Sequence, residues 1–126
     1  MTDNVKKLKF KGPATVIDAP AALSEDFSKQ GFATVFEETV PSKNTLVFVK
    51  SKQEYVDFLT HQLKQIEPDS VLWFAYPKGT SKIKSDINRD ILRVTGEEYG
   101  ITAVSIISLD DTWSALRVRP IHKVGK

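Results

Sequence analysis

The chain has 126 residues, enough for one hydrophobic core and too few for two. Hydrophobic residues make up 40% and charged ones 27%, which excludes a disordered or fibrous chain, and 18 basic against 16 acidic side chains leave a net charge of +2, too small to argue for an acidic partner. The absence of cysteine removes disulfides, thiolate metal sites and thiol nucleophiles together. No apolar run approaches the roughly 20 residues that cross a bilayer, and the first residues lack the apolar stretch of a signal peptide, so a cytoplasmic protein without membrane association is expected.

In chain order, residues 1–11 are basic and weakly patterned and are expected to fray, leaving a single domain over 12–121 and a short tail at 122–126. Ala14–Ile17 reads as a first strand, and residues 21–30 as two helical turns stopped by Gly31. Phe32–Phe36 and Thr45–Val49 read as further strands, too closely linked to be parallel neighbours, so they are antiparallel partners or 32–36 sits elsewhere, such as an edge. Ser51 followed by Glu54 has capping-box spacing, and Tyr55, Phe58, Leu59, Leu63 and Ile66 form one helical stripe that Pro68 ends.

Val71–Tyr76 is apolar at every position, the pattern of a central strand covered on both faces. A polar stretch, 77–85, leads to a second helix carrying Ile87, Ile91 and Val94, weakened in its last turn by Gly96 and stopped by Gly100. Ile101–Leu109 and Trp113–Arg119 should form a hairpin across Asp110-Asp111-Thr112, with the last strand antiparallel at an edge. Strands alternating with helices give an α/β fold: a Rossmann-like, mostly parallel twisted sheet with flanking helices and a C-terminal antiparallel hairpin strand.

In such sheets ligands bind beyond the carboxyl ends of the strands, where loop backbone and helix N-termini converge. That rim collects Asp18, Lys50, Ser51, residues 76–85 and Asp110–Trp113. Its richest part is Lys78-Gly-Thr-Ser-Lys-Ile-Lys84, whose cations and hydroxyls before a helix N-terminus suit an anion. It lacks the second glycine and the helix-start lysine of a phosphate-binding P-loop, and reads equally as a solvated loop with snorkelling lysines. Asp86 and Asp90, one helical turn apart, make a conceivable carboxylate pair or ordinary surface charges. Trp113 and Arg117 could wall the site, or Trp113 could close the core.

His61 and His122 have no ligand spacing around them, so no metal site is expected, and no nucleophile–base arrangement marks a catalytic residue. The aromatics fall on buried positions rather than within a basic stripe, so nucleic acid is not an expected partner.

At Leu72-Trp-Phe-Ala-Tyr-Pro-Lys78, Ser81, Ser85-Asp86, Arg89-Asp90 and Asp110-Asp-Thr-Trp-Ser-Ala-Leu-Arg117 the chain resembles a small bacterial family of conserved proteins of unknown function. Ser85 and Asp111 stand where that family has Thr and Glu. The family in turn resembles a truncated Rossmann-type methyltransferase fold, with Thr45 to Lys78 similar to its later strand–helix–strand half. Glu37 or Glu38 would take the place of its ribose-binding acid, but Ile17-Asp-Ala-Pro-Ala-Ala22 has none of the glycines of the methyltransferase cofactor turn, so no cofactor is expected.

The leading expectation is a non-enzymatic binding or interaction domain that takes an anionic small molecule or protein segment at Lys78, Ser81, Lys82, Asp86, Trp113 and Arg117. One alternative is a degenerate methyltransferase-like enzyme with Asp18, Asp86 or Asp110 as acid or base. Another is a homodimer joined through the strand 113–119.

Overall fold

The computed structural model describes residues 6–37, 39–79, 83 and 85–123. Strand β1 (Thr15–Ile17) is followed by helix α1 (Ala21–Lys29), β2 (Ser42–Phe48), α2 (Lys52–His61), β3 (Ile66–Pro77), α3 (Arg89–Glu97), β4 (Ile101–Ser108) and β5 (Trp113–Pro120). The strands make one sheet in the order β1-β2-β3-β5-β4, with β1, β2 and β3 parallel and β5 antiparallel to both β3 and β4. The fold is α/β and Rossmann-like, and β3 is its central strand.

Alternation along β3 divides the core. Val71, Trp73 and Ala75 pack with Leu8, Phe27, Phe48 and Trp113 on one face, while Leu72, Phe74 and Tyr76 pack with Tyr55, Phe58, Leu59 and Leu92 from α2 and α3 on the other. On the helical face Phe74 takes Tyr55 and Phe58 edge-on, at ring separations of 4.9 and 5.5 Å. Helix α2 starts as its sequence dictates: the Ser51 side chain accepts from Glu54 N at 3.1 Å, and the Glu54 carboxylate accepts from Lys50 N at 3.3 Å. It ends at His61, and after a single 3-10 turn Ile66 already belongs to β3, so the apolar stripe extends across two elements.

Four expectations are corrected by the chain's packing. Residues 32–36 make a single parallel bridge, Thr15 to Ala33, rather than a strand. The reason lies in their aromatics: Phe32 packs against Phe27 on one side of the sheet and Phe36 against Phe58 on the other. Residues four apart in a strand share a face, so a chain that anchors them on opposite faces must wrap across the edge of β1.

The second correction concerns the hairpin. Strand β5 lies inside the sheet, bonded to β3 on one side and β4 on the other, and β4 is the edge. A dimer through 113–119 is therefore closed off, because both ladders of that strand are already made.

The second helix begins later than its apolar pattern suggests. Asn88 caps it, its side chain accepting from Ile91 N at 2.9 Å; Ile87 lies before it, and its buried face is Leu92, Thr95 and Gly96, with Val94 exposed. Finally, the described part of the N-terminal segment is tied down instead of fraying. Leu8 is fully buried and its carbonyl accepts from Trp73 Nε1 at 2.9 Å, while Asn44 binds both Lys11 N and the Pro13 carbonyl.

Candidate functional site

The carboxyl rim is built from the ends of β2 and β3, the N-termini of α2 and α3, and the β4–β5 turn. Much of it is stitched together internally. Ser85 donates to the Lys50 carbonyl at 2.6 Å and accepts from Ile87 N at 3.2 Å, which holds the approach to α3 against the end of β2. Asp86 accepts from Lys52 N at 2.8 Å, so its carboxylate caps the N-terminus of α2, the place an incoming anion would take. Asp86 therefore precedes α3 and does not sit one helical turn below Asp90. Asp110 accepts from Thr112 N and Trp113 N at 2.8 and 2.7 Å, the work of a turn former.

Of the six residues expected to bind a ligand, the four that are described, Lys78, Asp86, Trp113 and Arg117, do not converge. Ser81 and Lys82 lie outside the described residues, as does Glu38. Trp113 is 3% exposed and packs edge-on against Phe48 at 5.0 Å, on the sheet face away from α2 and α3. It closes the core and offers a ligand no wall. Arg117 lies on that same face, opposite Trp73 and Ser105 and well inside the sheet, with its Nε buried and without a hydrogen-bond partner among the described residues. The parity of β5 separates both from the rim cations.

Lys78 is where the rim rule places it. Its backbone N donates to the Thr112 carbonyl at 2.8 Å, and its ammonium donates to Ser108 Oγ at 2.6 Å, across the ends of β3 and β4. Nearby on the α3 side, an open cleft of about 400 Å³ is lined by Tyr76, Asn88, Arg89, Asp90 and Ile106. Burial holds the Tyr76 phenol above its ordinary range, against the opposing pull of Arg89 and of a hydrogen bond to the Ser114 side chain. At neutral pH it is a neutral hydroxyl able to donate or accept. The cleft thus presents a guanidinium, a phenol, an amide and a carboxylate beside the start of α3, and the Lys78 ammonium lies at Ser108, which Ser114 links in register to Tyr76.

Tyr76 was visible in the sequence as part of the rim, and Arg89 within the Arg89-Asp90 pair of the family resemblance. Asn88 and Ser108 were missed. The signal for Asn88 was its position three residues before Ile91, a capping spacing masked by an apolar pattern that seemed to begin at Ile87.

A second concavity, about 470 Å³, opens at the opposite, amino rim between Leu63, Ile66, Leu72, Ile101, Val118 and Pro120. It is aliphatic, and at its mouth Arg119 grips Asp69 with two bonds of 2.9 and 3.1 Å. That grip holds the Asp69 carboxyl below its usual range. Among the described residues no group of three or more His, Asp or Glu side chains is placed to hold a metal ion, and no helix is long and apolar enough to cross a membrane.

These features define an α/β domain with a Rossmann-like sheet and a polar cleft at its carboxyl rim. No protein-family model matches the chain, and no curated protein does. Among solved structures it is similar to a proposed type 11 methyltransferase from Sulfolobus solfataricus, with 13% identity and a TM-score of 0.47 over 94% of this chain and 78% of that one.

Proposed function

We propose that the chain is a binding domain without chemistry of its own, and that it accepts a small anionic group in the cleft at the start of α3. The observation that carries this reading is the placement of Arg89 on the cleft wall beside Tyr76, with the Lys78 ammonium held by Ser108 at 2.6 Å above the same sheet face. Arg89 on the wall and Lys78 at Ser108 on the same sheet face supply positive charge to a concave, partly apolar site and its surroundings, and Tyr76 and Asn88 add neutral polar groups that give orientation. Asp90 in the same cleft offsets part of this positive charge, which favours a carboxylate or a phosphate monoester over a polyphosphate.

The test is a thermal-shift series with inorganic phosphate, acetate and nucleoside monophosphates, since a ligand that binds only the native state raises the melting temperature by mass action. The reading expects a shift with at least one of them that falls at least several-fold in apparent affinity in Lys78→Ala and in Arg89→Ala. A shift untouched by both substitutions, or no shift with any of the probes, refutes it.

A further inference from the structure

The cavity at the amino rim grows out of an irregular strand pairing. Between the pairs Ser42–Ile66 and Asn44–Val71 the ladder advances two residues along β2 and five along β3, so β3 carries a surplus that leaves the ladder at 67–70. Asp69 in that surplus has a φ of 55°, in the left-handed region that Asp tolerates better than most residues. Bulges re-aim side chains, and here the Asp69 carboxylate meets Arg119 from the end of β5. With the 3-10 turn that follows α2 and Gly100 after α3, the bulge borders a cavity of about 470 Å³.

Its walls and its mouth differ in chemistry. Leu63, Ile66, Leu72, Ile101 and Val118 supply aliphatic side chains, Leu72 and Val118 as neighbours in register, and among the described residues none that lines the cavity is aromatic. Of the charged groups that line the cavity or act on the Asp69 carboxylate, four are cations, Lys64, Arg117, Arg119 and Lys123, and two are carboxylates, Glu67 and Asp69. Positive charge is in surplus there. Asp69 takes up Nε and one Nη of Arg119, and a guanidinium carries more N–H donors than the two this pair uses.

We infer that this cavity binds a short aliphatic carboxylate, its alkyl chain against the aliphatic walls and its carboxylate on the remaining N–H donors of Arg119 at the mouth. An apolar lining with a few polar groups at one end, at this volume, is the make-up of a small-molecule site. The walls select the chain, since flexible aliphatic side chains offer no flat face on which a planar ring would stack. The surplus of positive charge selects the head: a neutral alcohol gains nothing from it, and an ammonium is repelled. Asp69 holds the guanidinium plane in place before a ligand arrives, which lowers the cost of ordering it. The inference does not rest on the carboxyl-rim cleft, which lies at the other end of the strands and reads a charged head without a tail.

Calorimetric titration of the full chain with acetate, butanoate, hexanoate and octanoate, and with 1-hexanol, tests this. Affinity is expected to rise by up to about fourfold for each CH2 that the cavity takes from water, and by at least about tenfold from butanoate to octanoate. A bare anion site at the carboxyl rim adds the same amount to every member of the series, so the slope with chain length reports the amino-rim cavity alone. Hexanoate should bind at least about fivefold more tightly than 1-hexanol. Arg119→Gln should erase that advantage, and Leu63→Asp should flatten the slope. In the wild type, octanoate should shift the amides of Leu63, Ile101, Val118 and Arg119 saturably in a two-dimensional NMR titration. Affinity independent of chain length, an alcohol that binds as tightly as the acid of the same length, or saturable shifts that leave those residues untouched would each overturn the inference, and none of these three readings needs a variant to fold.

Discussion

Replacing Gly96 by alanine should destabilise this protein, against the usual effect of that change within a helix. Alanine is ordinarily better than glycine there by about 1 kcal/mol. At this position the new Cβ would lie 2.7 Å from Tyr55 Oη, with Ile101 Cγ1 at 3.2 Å and the Ile101 carbonyl at 3.4 Å. The hydroxyl has little room to withdraw, since the ring is fully buried against Phe74 and the hydroxyl donates to the Leu92 carbonyl at 2.8 Å. Overpacking of this kind costs about 1–3 kcal/mol, so the net effect is a loss of up to about 2 kcal/mol.

The sign should reverse once the hydroxyl is gone. Tyr55→Phe alone should cost about 1 kcal/mol for the lost hydrogen bond, and in that background Gly96→Ala should stabilise by about 0.5–1 kcal/mol. Urea unfolding followed by fluorescence of the two tryptophans, Trp73 and Trp113 at 1% and 3% exposure, measures all four corners of this cycle. Equal effects of Gly96→Ala in both backgrounds, or stabilisation in the wild type, would refute the reasoning.

Three further outcomes follow from buried and paired groups. Burial pushes the Tyr55 phenol well above its ordinary value of 10.0, so the native state keeps a proton that the unfolded chain loses; stability is fully present below that value and falls as pH rises beyond it, and Tyr55→Phe should flatten the alkaline arm of a stability–pH curve. Asp69 has the opposite sign. Its carboxyl is held below the ordinary value of 3.8 by the Arg119 hydrogen bond, so the advantage of wild type over Asp69→Asn should be present above 3.8 and vanish as pH falls through the lowered native value, as read by chemical denaturation at a series of acid pH values. Removal of residues 1–10 takes away the fully buried Leu8 and the acceptor of the Trp73 indole N–H, and should cost about 2–5 kcal/mol in urea unfolding; a truncated chain as stable as the whole would show that this contact contributes nothing.

What the sequence made legible was whatever a local pattern decides. The unbroken run Val71–Tyr76 marked a strand buried on both faces, and Ser51 with Glu54 marked the start of α2, because pleat periodicity and capping chemistry act within a few residues. Properties set by long-range competition were hidden. The slot that β5 fills exists only because β4 lands two positions from β3, and residues 32–36 cross an edge only because Phe32 and Phe36 find partners on opposite faces. The rim followed the same division. Lys78 was placed by a topological rule, whereas the exclusion of Trp113 and Arg117 depends on the register of β5 against β3, which no residue type announces. Asp86 read as a site carboxylate until α2, 34 residues away, supplied the N–H it accepts.

The most direct test of the account is where a small anion touches the protein. In a two-dimensional amide NMR titration of the full chain with inorganic phosphate and with acetate, the rim reading predicts saturable shifts at Tyr76, Lys78, Asn88, Arg89 and Ser108, the groups that line or overhang the cleft. Saturable shifts confined to the amino rim, around Leu63, Asp69 and Arg119, or shifts that stay linear and scattered over surface lysines, would contradict it.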